Sequence, residues 1–173
     1  MKPLKFILIL SMFNFFNFGC ADELAVGADA PALNATLQNG DTIDLGAVFA
    51  EGITLVFFYP KADTPGCTAQ ACSLRDSFEE LTAKGVKVFG VSYDSAEAQR
   101  DFMDKHQLPF DLIADEDKSV SNAFGRGWFS RQAYLIQDGK IIWRDTKAST
   151  SSQAADVKQA LMDLGILQFD SMS

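Results

Sequence analysis

The sequence predicts an α/β domain built on a largely parallel sheet, and three observations carry that prediction. Ile53-Thr54-Leu55-Val56-Phe57-Phe58-Tyr59 is a continuous apolar, β-branched and aromatic run, the pattern of a strand buried on both faces. Behind it, Cys67, Ala71, Leu74, Phe78 and Leu81 recur at helical spacing. A second strand-like run, Val86–Tyr93, follows that helix, giving the strand-helix-strand order from which parallel sheets are built.

Ala32–Leu37 and Thr42–Leu45 flank Gln38-Asn39-Gly40-Asp41, a hairpin signal. After the strand 53–59 comes a helix predicted from Cys67 to Lys84, with Gly85 at its end, and then the strand Val86–Tyr93. Asp94 with Glu97 reads as a capping box that opens a helix to about Gln107. Leu112–Ala114 is a short strand, and Lys118–Phe124 is a short helix closed by Gly125. Asp115-Glu116-Asp117 lacks the ligand spacing and the glycine of a calcium loop and reads as a cap for that helix. Gln132–Gln137 and Lys140–Arg144 form a hairpin across Asp138-Gly139, and Ser152–Leu164 is the last helix. Strand, helix, strand, helix, antiparallel hairpin and closing helix is the thioredoxin-like order: a central mixed sheet flanked by helices, with the catalytic helix behind a central strand.

At 173 residues and 47% hydrophobic composition, the chain is long enough for one domain with a real core. A net charge of -8 excludes a nucleic-acid binder, because phosphate recognition needs Lys/Arg clusters that this chain lacks.

Residues 1–19 read as a removable leader. Lys2 and Lys5 precede an apolar run from Phe6 to Phe18 that is too short to cross a bilayer as a helix. Gly19-Cys20 at the end of that run resembles the lipobox of bacterial lipoproteins, in which the cysteine is acylated; Asn17 stands where an aliphatic residue is usual. Lipidation at Cys20 and ordinary signal cleavage are both open. Either places the mature protein outside the cytoplasm, in the periplasm. Ala21 after the cysteine resembles the outer-membrane sorting pattern. The expected organisation is a leader over 1–19, a tether over 20–30 and a single domain over 31–173.

Cys67 carries the chemistry. It sits where a strand-loop-helix unit presents its helix N-terminus, and the unpaired N–H groups and positive dipole end there favour thiolate over thiol. A helix end contributes only about 0.3–1 kcal/mol, up to about 2 when partly buried, so a cation or further donors must add to it. Thr64 can donate a hydroxyl hydrogen bond into the same pocket, and Pro60 and Pro65 stiffen the loop.

Pro60-x-x-x-Thr64-x-x-Cys67 resembles the peroxiredoxin active-site signature, and the string TPGCTAQACSLRD over 64–76 resembles the bacterioferritin comigratory protein, or peroxiredoxin Q, subfamily. The likeness runs from about Gly27 to Leu164. It implies that Cys67 is the peroxidatic cysteine, that Thr64 bonds the thiolate and the peroxide, that Pro60 shields the pocket, and that Cys72 is the resolving cysteine. It also implies an arginine reaching the thiolate from the start of a later strand, a place occupied by Arg131, with Arg126 as its nearby competitor. Gln70 stands where many peroxiredoxins carry a glutamate that pairs with this arginine, and the 125–130 stretch is shorter than is common in the subfamily.

The activity so implied is reduction of hydrogen peroxide and organic hydroperoxides through a Cys67 sulfenic acid and a Cys67–Cys72 disulfide, without metal, haem or flavin. A thioredoxin or thioredoxin-like periplasmic protein would be the reductant. The expected working unit is a monomer, touching membrane only through the lipid anchor. The competing reading is an extracytoplasmic thiol-disulfide exchange protein or a redox-switched binding module, against which stands the lack of Cys-x-x-Cys at the helix start. His106, the only histidine, reads as a solvated group, Trp128 and Phe129 as pocket-mouth or core residues, and Cys-x4-Cys as a poor zinc pattern.

Overall fold

The computed structural model describes residues 23–168, so the predicted leader and Cys20 lie outside the described residues. The predicted first hairpin is present as β1 (Asn34–Thr36) and β2 (Thr42–Asp44), paired antiparallel. A short helix that the sequence reading missed, α1 (Leu45–Phe49), follows at once, its first turn capped by the Asp44 carboxylate, which accepts from the Ala47 N–H at 3.2 Å. Five residues are too few to display a helical period, which is why it was not legible.

β3 (Ile53–Phe58) leads into α2 (Pro65–Asp76) and α3 (Phe78–Ala83), then β4 (Val86–Ser92), α4 (Ala96–His106), β5 (Asp111–Ala114) and α5 (Ser119–Ala123). β6 (Gln132–Gln137), β7 (Lys140–Asp145) and α6 (Gln153–Asp163) complete the chain. The main sheet has the order β5-β4-β3-β6-β7, with β3, β4 and β5 parallel and β6 and β7 antiparallel. This is the mixed, thioredoxin-like sheet that the sequence predicts.

β3 is buried along its whole length because helices cover both faces of the sheet. Leu55, Phe57 and Tyr59 point to the side packed by Cys67, Ala71 and Leu74 of α2, Phe102 of α4 and Val157 and Leu161 of α6. Val56 and Phe58 point to the other side, with Leu45, Phe49, Val120, Phe124 and Tyr134.

Three expectations are corrected. The single helix over 67–84 is two helices, because Ser77 leaves the helical region (φ -110°, ψ 7°) and becomes the N-terminal flank of α3. Phe78 and Leu81 still turn toward the core, so the apolar spacing survives the break. The first of the two helices starts at Pro65, where a proline suits the first position, so Cys67 is its third residue. Ser95 rather than Asp94 caps α4, accepting from the Ala98 N–H at 3.3 Å, while the Asp94 carboxylate turns toward the loop after β3. Of the expected tether, residues 23–30 lie along β7: Gly27 donates to the Ile141 carbonyl and Ala30 to the Gly139 carbonyl, each at 2.8 Å.

Gly90 in β4 faces Phe57 of β3, and a Cβ there would come within 2.8 Å of the Phe57 ring and 2.7 Å of Leu112. Gly90→Ala is therefore expected to destabilise the fold by about 1–3 kcal/mol through overpacking. Urea denaturation reads this directly; an unchanged midpoint would show that the sheet has slack at its centre.

Candidate active site

The sulfur of Cys67 is fully buried where α2 begins. The first intrahelical bond runs from the Thr68 N–H to the Thr64 carbonyl at 2.8 Å, so the N–H groups of Gly66 and Cys67 have no helical partner and add their partial charge to that end. Arg131, in the residue before β6, supplies the cation: its Nη1 donates to Cys67 Sγ at 3.3 Å and to Gln70 Oε1 at 3.1 Å. Arg131 is held at that spot by its own carbonyl, which accepts from the Ala148 N–H at 3.1 Å.

Gln70, one turn after Cys67, bridges two elements. Its Oε1 receives the arginine while its Nε2 donates to Gln153 Oε1 at 2.9 Å, at the start of α6. Because Gln70 is uncharged, it orients the guanidinium without cancelling its charge. The full positive charge faces the sulfur. Gly66 permits the approach, since a Cβ there would lie 2.8 Å from Arg131 Nη2.

Arg126, the competitor, goes elsewhere. It is buried, donates to the Ser130 carbonyl at 3.2 Å and Ser121 Oγ at 3.3 Å, and lies 4.5 Å from the Tyr93 ring centroid. Burial lowers its pKa, although the guanidinium stays charged. It braces the 125–130 loop. Thr64 flanks the helix as its N-cap, but its hydroxyl donates to the Lys61 carbonyl at 3.1 Å and not to the sulfur. Pro60 is half-buried at the top of β3, and Cys72 is a half-buried free thiol on α2.

Two networks hold the loop between β3 and α2, and sequence reasoning found neither. In the first, the buried Tyr59 hydroxyl donates to Gln99 Oε1, and Gln99 Nε2 donates to Ser92 Oγ at 2.9 Å and to the Ile113 carbonyl at 2.8 Å. Ser92 Oγ donates to Asp94 Oδ2 at 2.7 Å, and that same oxygen accepts from the Ala62 N–H at 2.7 Å. Burial holds the Tyr59 phenol far above its ordinary titration range, so it remains a neutral donor. In the second, Asp63, at φ 56°, receives His106 Nε2 at 2.8 Å and Lys105 Nζ at 2.6 Å, and the His106 bond is the main reason its carboxyl lies below the usual range. The His106 carbonyl in turn accepts from Arg75 Nη1 at 2.9 Å, near the end of α2. His106 is therefore a bonded hub rather than a solvated group. The sequence signal for it was only a polar residue at a helix end.

Trp128 and Phe129 are exposed, at 63% and 83%, so neither is a core residue. Asp115 does cap α5, accepting from the Val120 and Ser121 N–H groups at 2.9 and 2.8 Å.

A buried thiol at a helix start, facing an uncancelled guanidinium, is arranged for nucleophilic attack with stabilisation of charge on a departing oxygen. Comparisons with known proteins agree. Residues 26–144 match the AhpC/TSA family. The chain is 44% identical over 143 residues to peroxiredoxin Bcp of Escherichia coli, covering 74% of this chain and 90% of that one. It is 33% identical over 153 residues to peroxiredoxin Bcp of Bacillus subtilis, covering 82% and 97%. Among solved structures, peroxidoxin BcpB of Mycobacterium tuberculosis superposes with a TM-score of 0.75 at 26% identity, covering 85% of this chain and 100% of that one. A bacterioferritin comigratory protein of Xanthomonas campestris, described for its alkyl peroxide reduction activity, gives 0.70 at 26% identity, covering 76% and 91%.

The guanidinium-sulfur contact sets the expected effect of two substitutions. Arg131→Met removes a charge-assisted hydrogen bond of about 1.5–3 kcal/mol, which corresponds to roughly a 10- to 150-fold slower reaction of Cys67 with peroxide or iodoacetamide at pH 7. Gly66→Ala displaces only the flexible end of Arg131, so it is expected to slow the same reactions while leaving thermal stability near that of the parent. Equal alkylation rates in all three proteins would remove Arg131 from the account.

Proposed function

Since the chain belongs to the AhpC/TSA family and is a peroxiredoxin, a thiol peroxidase of the oxidoreductase class, we propose that Cys67 is its peroxidatic nucleophile and Cys72 its resolving thiol. The observation that carries the reading is the Arg131 guanidinium 3.3 Å from a buried sulfur at the start of α2. The Cys67 thiolate attacks the terminal peroxide oxygen, an S–O bond forms as the O–O bond breaks, and the departing oxygen takes up a proton and leaves as water or alcohol. Arg131 and the helix N–H groups stabilise the charge that moves onto that oxygen. Thr64, which flanks the start of α2, gives up its bond to the Lys61 carbonyl to bond the peroxide, and Pro60 shields the sulfur from bulk water.

The Cys72 thiolate then attacks the sulfenic sulfur, forming the disulfide and releasing hydroxide, which is protonated to water. A thioredoxin-type dithiol restores both thiols by exchange. Hydrogen peroxide and organic hydroperoxides are the substrates, the latter supported by the alkyl peroxide reduction activity of the Xanthomonas campestris relative. The protein works as a monomer in antioxidant defence outside the cytoplasm, with residues 1–19 removed and Cys20 acylated as an outer-membrane anchor, a reading supported by the charge and apolar pattern of residues 1–20.

Resolution requires motion. Five residues apart on an intact helix, Cα atoms are roughly 8.6 Å apart and the side chains diverge by about 140°. A disulfide needs Cα atoms within about 7 Å. The first turns of α2 must therefore open, exposing Ala71 and the backbone of residues 66–76.

Cys67→Ser is expected to abolish peroxide consumption supported by dithiothreitol, and a residual rate above about a tenth of the parent would refute the nucleophile assignment. Cys72→Ser is expected to complete one turnover and hold a sulfenic acid that dimedone traps. Amide exchange across residues 66–76 should be faster in the disulfide form; equal protection in both redox states, with the 67–72 bond verified by mass spectrometry, would rule out the unwinding step.

A further inference from the structure

The catalytic end of the sheet carries an exposed aromatic pair that the peroxidase cycle does not use. Trp128 and Phe129 are consecutive and solvent-facing, in the loop that leads to Arg131. The loop is built to present them. Ser130 closes it, with both its N–H (3.2 Å) and its hydroxyl (2.9 Å) donating to the Gly127 carbonyl, and Arg126 donates to the Ser130 carbonyl beneath. Lys118 Nζ lies 3.5 Å from the Trp128 ring centroid, and the Tyr93 ring lies 6.0 Å away on the inner side.

The described chain begins at this same end. The Glu23 carboxylate accepts from Gln132 Nε2 at 2.8 Å, and Arg144 Nη1 donates to the carbonyls of Glu23 and Leu24 at 3.1 and 2.9 Å. From there the chain runs along β7 toward the Asp138-Gly139 turn, away from the site. Glu23, the first described residue, therefore lies beside the first residue of β6, next to Arg131. Cys20 is three residues upstream of Glu23, a reach of at most about 11 Å, and Phe129 is three residues before Gln132, with the same limit.

We propose that this end of the molecule is a membrane-facing surface, in which Trp128 and Phe129 insert into the interfacial zone of the bilayer that holds the acylated Cys20. The proposal rests on the anchoring reading given above. Aromatic rings with a polar flank favour the headgroup boundary, and Lys118 adds a cation able to meet lipid phosphate. A few acyl chains on one residue fix a point but not an orientation, and the ring pair supplies the second contact. With a net charge of -8 the remainder of the surface gains nothing from an anionic leaflet, so the contact is confined to this patch. The end of the sheet that holds Cys67 and Arg131 then faces lipid, and peroxides leaving the bilayer reach that end first.

The chain has two tryptophans, so Trp143→Phe leaves Trp128 as the only one. The full chain, produced and processed in a Gram-negative host, is examined by mass spectrometry at its N-terminus and bound to dioleoylphosphatidylcholine vesicles with and without bromine on the acyl chains. The expected result is an acylated Cys20, a blue-shifted Trp128 emission quenched by the brominated lipid, and loss of quenching by aqueous acrylamide. An acylated, vesicle-bound protein whose Trp128 ignores bromine and stays open to acrylamide overturns the membrane-facing surface and leaves the anchor standing. A mature protein without acyl groups at Cys20 overturns the anchor and the surface with it. Should Trp143→Phe perturb β7, the difference in quenching between the parent and Trp128→Phe isolates the same signal.

Discussion

One contact organises this protein: a guanidinium held against a buried sulfur at the open end of a helix. The sulfur of Cys67 lies out of water, where an unpaired charge is costly to bury and a cationic partner matters most. Arg131 and the unbonded N–H groups of the first turn set positive charge against that sulfur, and each is positioned by something further away. The arginine depends on β6 pairing with β3, on the Ala148 bond and on the side chain of Gln70. Gln70 in turn depends on α6 through Gln153. The five-stranded sheet and both of its helical layers can be read as the frame that keeps these two side chains 3.3 Å apart.

The neutral Gln70 alters the electrostatics of that frame. A glutamate there would share the guanidinium charge, whereas an amide oxygen offers direction without a counter-charge. The charge then remains available to the sulfur and to an oxygen leaving it. Among the described residues a second arginine, the buried Arg126, makes no salt bridge either, and it lies against Tyr93 and Phe58.

Much of the fold was legible because its signals are local. The all-apolar β3 run, the glycines after α3 and α5 and the Asp138-Gly139 turn each act within a few residues. The approach of Arg131 to Cys67 came from family resemblance, since no local pattern links residues 64 positions apart. What remained hidden was the traffic of polar side chains between distant segments. Asp94 has the sequence look of a helix cap, yet its oxygen serves Ala62, and the cap falls to Ser95. The Ser77 break was invisible because the apolar residues on either side of it keep their helical spacing.

The two bonds made by His106 bear on how the helix returns to shape. Its ring holds Asp63, just ahead of α2, and its carbonyl holds Arg75, near the far end. In the proposed cycle the first turns would open between two points both held by His106, and the freed stretch would be a closed loop of about a dozen residues rather than a free end. Loop-closure entropy is small for so short a segment whose ends are already joined. Rewinding after each such cycle would then be a matter of local torsions on the sub-microsecond to microsecond scale of helix formation, with α2 acting as a clasp with a built-in return spring.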